Sequence, residues 1–582
     1  MKNRMLSLLT IIALLLALTA CRSPVSGMET SISASGTEES IALTETPDET
    51  QASTQTTPEK MEDSVESSTE MTVEEERAAI EYPIAENGET LSIFMAYPGG
   101  PPCVLESWAD YTLFDVAQEA TGVALDWHEV AMPVVADQLA LLVASGDLTD
   151  LVVGLQDISG GLVGAYDNGL IYDLGEYIEE CAPDYYYYTR IENDMERDLL
   201  TDEGYELSLH VIHDALDTYD GMCLRQDWLD EQGLDAPTTY EELDQVLEVF
   251  SNTYGLTEPV FLNDNLSVQS AWLSAGYGVG NYDVVDTNAQ TAFYLKDGGD
   301  EVTIALQEEG YRDYISMLRD WYEKGYISRD FMSKNYTDTD KQDLICNDRM
   351  GLFWASADQL ATYYSNAVDA DFSLVTLGLI SRDGAMNTNH YCKNFLINAN
   401  CVAVSTNCDD VELAVKWLNY WYTDDGIMLM NYGVEGESYN LVDGEIQYTE
   451  LVTNNPEFPD MNTNGMLMRY NCQGKICGVH LVDNKEGIYA QEQLDACDFW
   501  ASCMDNAYSM PYGVTLTTDE ITSVTNTFNE ITTYASEVIL SFVTGGRSME
   551  EWDSFVAQLE SMGLGDCVSV YQEAYDRYLA RT

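Results

Sequence analysis

The chain has 582 residues, 45% of them hydrophobic, which is enough to bury a core and argues against wholesale disorder. Lys and Arg total 25 against 101 Asp and Glu, a formal charge of -76 at pH 7. A field of that sign repels phosphate backbones and anionic headgroups, so nucleic acid and direct contact with a membrane surface are not expected. The length allows two to four ordinary domains or one large two-lobed body. Tyr outnumbers Phe 38 to 14, and most of these rings are expected to be half-buried packing residues.

The N-terminus sets the compartment. Lys2 and Arg4 precede an apolar stretch over residues 6–20, the layout of a secretory signal that is too short to span a bilayer stably. It ends in Leu18-Thr19-Ala20-Cys21, which resembles a bacterial lipobox. That resemblance implies a diacylated Cys21 as the mature N-terminus, held on the extracellular face of the cell membrane by the lipid alone. No cofactor is expected. Residues 22–80 hold 20 Ser or Thr, 14 acidic and 3 basic residues and no aromatic one. They read as a flexible, self-repelling tether, because they cannot bury enough apolar surface to offset chain entropy. The expected organisation is therefore a signal peptide over 1–20, lipidated Cys and tether over 21–88, and a folded body over 89–582.

In that body the pattern alternates. Residues 90–96 read as a buried strand, 114–121 as a helix stopped by Gly122, and 123–130 as a second strand. Residues 134–145 form an amphipathic helix and 150–154 a third strand. Strand-helix-strand-helix-strand predicts a parallel sheet with helices on its faces. Beyond residue 220 helices dominate, over 239–251, 311–324, 411–422 and 517–544. A single sheet of this size would be exceptional, so two lobes are expected. Twelve cysteines follow Cys21; an even number in an exported chain permits disulfides, and no pairing is assigned.

Five segments carry a family resemblance. Ser145-Gly-Asp-Leu-Thr-Asp150 comes first, then Leu170-Ile-Tyr-Asp-Leu-Gly-Glu-Tyr-Ile178 with Cys181-Ala-Pro-Asp184. Leu224-Arg-Gln-Asp-Trp-Leu229 leads into Gln232-Gly-Leu234 and Pro237-Thr-Thr-Tyr240. Tyr432-Gly-Val-Glu-Gly-Glu-Ser-Tyr439 is the fourth, and Phe542-Val-Thr-Gly545 with Glu551-Trp-Asp553 and Gln572-Glu-Ala-Tyr-Asp-Arg577 the fifth. In this order they resemble the family 1 extracellular solute-binding lipoproteins of ABC importers, in the oligosaccharide-type subgroup. The resemblance implies a helix-rich α/β, two-lobed periplasmic-binding-protein-like fold of type II, hinged between lobes. It also implies a non-enzymatic receptor that captures a small solute or oligosaccharide in the cleft and hands it to permease subunits.

Sugars present apolar C–H faces and a rim of hydroxyls, so a site pairs flat rings with carboxylates, amides and Arg. The candidates are Tyr97 and Trp108 after the first strand, Gln156 and Asp157 after the third, and Arg225. Trp272 and Tyr277 in a Gly-broken stretch, Trp354 after Gly351-Leu-Phe, and Glu435 and Tyr439 in the YGVEGESY loop complete them. Packing is an equal reading for Trp108, Trp272 and Trp354, and an internal ion pair for Arg225. Trp228, Trp321, Trp417, Trp421, Trp500 and Trp552 are expected in helix cores. The cations near the proposed cleft, Arg225, Arg382 and Lys393, are isolated, which favours a neutral ligand.

Rival motifs are weaker. Asp460-Met-Asn462-Thr-Asn464-Gly465 matches the opening of a calcium loop, but position twelve is Asn471 where a bidentate Glu is needed. An Asx-rich turn is the expected identity, and no metal site is assigned. His210 and His213 are spaced to face opposite sides of a strand. A surface-tethered glycoside hydrolase or polysaccharide-binding adhesin is the alternative function. Replacing Cys21 with Ser should release the protein from the membrane fraction or leave the precursor unprocessed. Unchanged processing together with unchanged retention would refute the lipobox reading.

Overall fold

The computed structural model describes residues 80–97, 104–158, 160–215, 218–262, 269–279, 292–333, 337–382, 384, 396–459, 461–472, 474–503 and 506–581. The signal segment, Cys21 and the tether up to residue 79 lie outside the described residues, as do Lys393 and Asp460.

The first lobe is built on a six-stranded sheet, with strands numbered in chain order. They are β1 (Thr90–Tyr97), β2 (Ala124–Ala131), β3 (Leu151–Val153), β4 (Leu209–His213), β10 (Ile397–Val404) and β13 (Gly478–His480). The spatial order is β13-β4-β10-β3-β1-β2. The parallel pairing expected of the first three strands is present, β1 lying parallel to both β2 and β3. The sheet as a whole is mixed, because β10 is antiparallel to β3 and β4. The reason is topological. The chain reaches β10 from the second lobe, entering where β4 ends, with Ile397 opposite Ile212. It can only run back toward the far edge.

Gly122 stops the first helix, Thr112–Thr121, at φ 76°, and its N–H closes on Gln118. A side chain there would also strike the carbonyl of Ala85 at 2.1 Å. Residues ahead of β1 are thus already packed, seven residues before the expected boundary at 89. Ile84 donates to Thr121 O, and the Tyr82 hydroxyl to Lys416 O, its ring 5.4 Å from that of Tyr420. The lobe-one core gathers Ile93, Phe114, Leu151, Val402, Trp417 and Trp421.

The second lobe has a three-stranded antiparallel sheet, β8-β5-β9, from β5 (Asp220–Arg225), β8 (Leu352–Ser356) and β9 (Leu374–Leu377). A hairpin of β6 (Phe293–Leu295) and β7 (Val302–Ile304) contributes to the same core. Helices supply most of the core. Tyr240–Tyr254 begins in a capping box of Thr239 with Glu242, and the long Thr518–Val543 in one of Thr517 with Glu520, so the N-terminal amides find acceptors. Trp321, Trp500 and Trp552 fill this core, as their helical spacing predicts. The helix expected over 411–422 is α-helical over Val411–Asn419 and tightens to a 3-10 turn at Tyr420–Tyr422. A second hairpin, β11 (Tyr439–Val442) with β12 (Glu445–Tyr448), lies in the chain between β10 and β13.

Among the described residues ten cysteines are buried and none is in a disulfide. Burial pushes the thiols of Cys408 and Cys567 up to about 11 and that of Cys472 up to about 12.

Three expected cleft residues are packing residues instead. Trp272 is 1% exposed inside the lobe-two core. Trp108 is 3% exposed; its indole N–H donates to Ala96 O at 2.7 Å, and its ring lies against Tyr111 and Phe114. Arg225 is fully buried and donates to Asp227 at 2.9 Å and to Asp348 at 2.7 Å. Its guanidinium lies between the rings of Trp228 and Phe372, 4.1 and 4.6 Å from their centroids. Strand direction explains why it is out of the cleft. Asp220, opposite Ser356, starts β5 at the edge where the chain enters the lobe, and Arg225 ends it about 17 Å away. Replacing Arg225 with Met should strip two carboxylates of their buried partner and cost about 3 kcal/mol in urea unfolding. Solute binding by the folded variant should be unchanged; lost binding at unchanged stability would return Arg225 to the cleft.

Candidate functional site

Five strands of the first lobe run in one direction, so their carboxyl ends share one edge. Outside such an edge side chains and loop amides are free of the ladder, which is where open α/β sheets hold ligands. Here the edge carries Tyr97 from β1, the turn Gly154-Leu155-Gln156-Asp157 after β3, His213 from β4 and His480 from β13.

The lobes are connected at this same edge. The chain leaves lobe one after His213, returns before Ile397 and leaves again after His480. These passages are tied side by side. The His213 N–H donates to Leu396 O at 2.7 Å, the Asp214 N–H to His480 O at 3.2 Å, and Val482 N–H to the Asp214 carboxylate at 2.8 Å. The rings of His213 and His480 are 5.0 Å apart. Burial and then the neighbouring His213 hold His480 down at about 4, so it is neutral at physiological pH.

A polar cluster forms around Gln156 and Asp157. The Cys401 thiol donates to Gln156 Oε1 at 3.3 Å, and Gln156 Nε2 to Asp157 Oδ2 at 3.3 Å. His210 is hydrogen-bonded through Nε2 to Ser208 at 2.9 Å and through Nδ1 to the Tyr512 hydroxyl at 3.3 Å. Partial desolvation raises the Asp157 carboxyl above its usual range, and burial pushes the Cys401 thiol up to about 12. A protonated, enclosed thiol is a poor nucleophile. The cluster offers hydrogen bonds and no activated group.

The facing edge of the second lobe is made by the start of β5 and the end of β8. Ala357 N–H donates to Tyr219 O at 2.7 Å across that edge, and Tyr219 is 54% exposed. Trp354 in β8 is half-buried, with the Lys341 ammonium 5.0 Å from its ring. That ammonium donates to Trp354 O at 3.2 Å and to Gln359 at 2.9 Å. Asp358 follows, accepting from Asn464 Nδ2 at 3.0 Å, and desolvation raises its carboxyl. Tyr277 lies beside Ser381, through the bridge of Gly276 to that residue. Its ring packs on Tyr240 at 4.5 Å under the Arg382 guanidinium, itself paired with Asp313 at 2.5 Å.

In the YGVEGESY loop Glu435 is exposed and Tyr439 is 5% exposed, 5.9 Å from the Tyr432 ring. The loop is closed by Ser438 Oγ on Tyr432 O and Gly436 N–H on Tyr439 O. Glu437 meets Thr112 at the start of the helix that follows β1. Of the ten candidates, Tyr97, Gln156 and Asp157 sit on the lobe-one edge, and Trp354 and Tyr277 on lobe two, Trp354 two residues before the end of β8 and Tyr277 next to the Gly276–Ser381 bridge. Tyr219, Asp358 and Tyr512 carry no sequence signature, since the chain turns that place them are set by pairing of distant strands. Asn464 does have one. It belongs to the Asx-rich stretch, where Asn462 caps the helix Thr463–Leu467 and Asn464 reaches the other lobe.

Comparison with known proteins agrees with this architecture. Residues 112–437, more than half of the chain, match the family described as bacterial extracellular solute-binding protein. The chain is 22% identical over 491 residues to the fructooligosaccharide ABC transporter substrate-binding protein FusA of Streptococcus pneumoniae, covering 80% of this chain and 86% of that one. It is 23% identical over 340 residues to the polygalacturonan/rhamnogalacturonan-binding protein YtcQ of Bacillus subtilis, 56% of this chain and 62% of that one. In fold it superposes on an HMO-binding, ABC-transporter-associated solute-binding protein of Bifidobacterium longum infantis with a TM-score of 0.68 at 19% identity, covering 85% and 99% of the two chains. Two lobes, one shared edge and a matching family profile lead to one assignment: the chain belongs to the bacterial extracellular solute-binding proteins.

Proposed function

We propose that this protein is the lipid-tethered receptor of an ABC importer and captures a neutral oligosaccharide between its lobes for delivery to permease subunits. The observation that carries the ligand class is the composition of the two facing edges. Aromatic rings (Tyr97, Tyr219, Trp354) stand with amide and carboxylate groups (Gln156, Asp157, Asp358), the pairing that suits C–H faces and hydroxyls. Three cations of lobe two have other work. Arg382 is paired with Asp313, Arg225 is at the remote end of its sheet, and Lys341 is bonded to Trp354 O and Gln359. A polyuronate needs several cations directed at it, and it would approach a body that carries 86 acidic and 20 basic residues from Tyr82 onward, a net of -66.

The two curated relatives differ on this point, one named for fructooligosaccharides and one for polygalacturonan and rhamnogalacturonan. The tether supports the receptor role: diacylation at Cys21 and a leader of some sixty residues would let the body search close to the membrane. A solute touching both lobes stabilises the closed arrangement, so the radius of gyration should fall on binding.

Isothermal titration with neutral fructo-, xylo-, manno- and gluco-oligosaccharides, beside galacturonate and alginate oligomers, tests the ligand class. Binding is expected in the neutral set alone, and Trp354→Ala and Asp157→Asn should each weaken it at least tenfold with little change in Tm. Tight binding confined to the uronates would overturn the neutral-ligand reading.

A further inference from the structure

Beyond the three covalent passages and the single side-chain bonds of Asn464 to Asp358 and Thr518 to Asp167, the described residues join the lobes through one denser cluster. Residues 195–202 belong to lobe one, where Met195 and Leu199 enter the core. The last helix, Leu564–Ala580, belongs to lobe two through Tyr571, Tyr575 and Tyr578. Between them Arg577 Nε donates to Asp202 at 2.7 Å, and Arg581 to the other oxygen of Asp202 at 2.6 and 3.0 Å. Arg581 also donates to the carbonyls of Arg197 at 3.0 Å and Leu200 at 2.6 Å, and the Tyr578 hydroxyl to Asp198 at 2.8 Å. Arg581 and Asp202 are largely buried, with side chains 8% and 15% exposed.

A strap of chain lies alongside. The Gly513 N–H donates to Asp198 at 3.2 Å, and a side chain at Gly513 would stand 2.6 Å from Asp198 Cα and 2.9 Å from Arg197 O. One residue earlier, the Tyr512 hydroxyl meets His210, three residues before the first passage leaves at His213. On lobe two the strap is held by Arg577 and Arg581, which donate to Thr515 O at 3.3 Å and Thr515 Oγ1 at 3.0 Å. The contacts therefore form a continuous line of bonded neighbours from His213 and Leu396 through His210 and Tyr512 to Gly513, Asp198 and Asp202.

We infer that this line is the axis of lobe closure, with Arg577 and Arg581 as its fixed non-covalent pivot. Charge-assisted hydrogen bonds this numerous and this shielded are too strong to be broken and remade with each solute. They persist while the lobes turn, so they belong on the axis and not at the moving mouth. The cations argue the same way, since a chain with 25 Lys and Arg places two of them on a single aspartate. The inference rests on lobe closure as proposed above and adds where the rotation is anchored.

Small-angle scattering and amide hydrogen exchange on the ligand-free full chain test it. Arg577→Gln with Arg581→Gln, and separately Gly513→Ala, should raise the radius of gyration. Exchange at 196–202 and 511–515 should quicken at least tenfold while the two lobe cores stay protected. Glu520→Gln removes the partner that Arg577 has inside lobe two and should leave the radius unchanged. Wild-type radius and wild-type exchange in both pivot variants would overturn the pivot, whatever the ligand titration shows. So would a general loss of protection in both pivot variants with no change in radius. A wild-type chain that does not contract with a bound oligosaccharide would overturn closure itself, and that experiment is independent of these variants.

Discussion

A strand that comes back from another lobe must enter a sheet at the edge where the chain left it. Here that requirement makes β10 antiparallel among parallel neighbours and brings the passages at His213, Leu396 and His480 into hydrogen-bonding contact. The same edge gathers the carboxyl ends of β1, β3, β4 and β13 of lobe one. Binding and hinging are thus consequences of one topological choice. Because the passages are bonded to one another, twisting of one would be shared by the others, as the proposed closure of two packed lobes requires.

The scarce cations show how an acidic body of this size is held together. Arg190 is bonded to Glu206 at the base of lobe one, and Tyr185 donates to the same carboxylate at 2.9 Å. Burial raises the Glu206 carboxyl while the arginine and the tyrosine pull it back, so the ion pair and its hydrogen bonds must be kept together. Arg225 serves lobe two in the same manner, clamped between two rings and two carboxylates. Arg577 and Arg581 work between lobes. Arginine suits all three positions because its planar fork meets a carboxylate with two donors and its face packs on aromatics.

Much of this was legible in the chain. The run 90–96, the stop at Gly122 and the strand near 150 follow from local periodicity and backbone chemistry, and each lies within a residue or two of the observed element. The six tryptophans assigned to helix cores are 5% exposed or less. The Ile171-Tyr-Asp-Leu-Gly175 segment also proves structural, since Asp173 accepts from both Gly175 and Glu206 N–H. What was not legible depends on long-range pairing. Trp108, Trp272 and Arg225 have the composition of a sugar site, and only the depth of a neighbour or the direction of a strand removes them from the cleft. Tyr512 and Asp358 lie in unremarkable stretches and gain their positions from contacts hundreds of residues away. The direction of β10 was hidden for the same reason.

The buried thiols bear on how the protein survives export. Thiol–disulfide exchange needs a thiolate, and Cys181, Cys223, Cys346, Cys401 and Cys477 are among those made less acidic by the packing around them. Protection of that kind exists only once a lobe has closed over its core. While the chain is emerging and unpacked, the same cysteines have ordinary acidity and can reach one another in many wrong pairs. Oxidative quality is then decided by a race between collapse and mispairing. A substitution that merely slows the folding of a lobe would be felt as scrambled disulfides before it was felt as lost affinity.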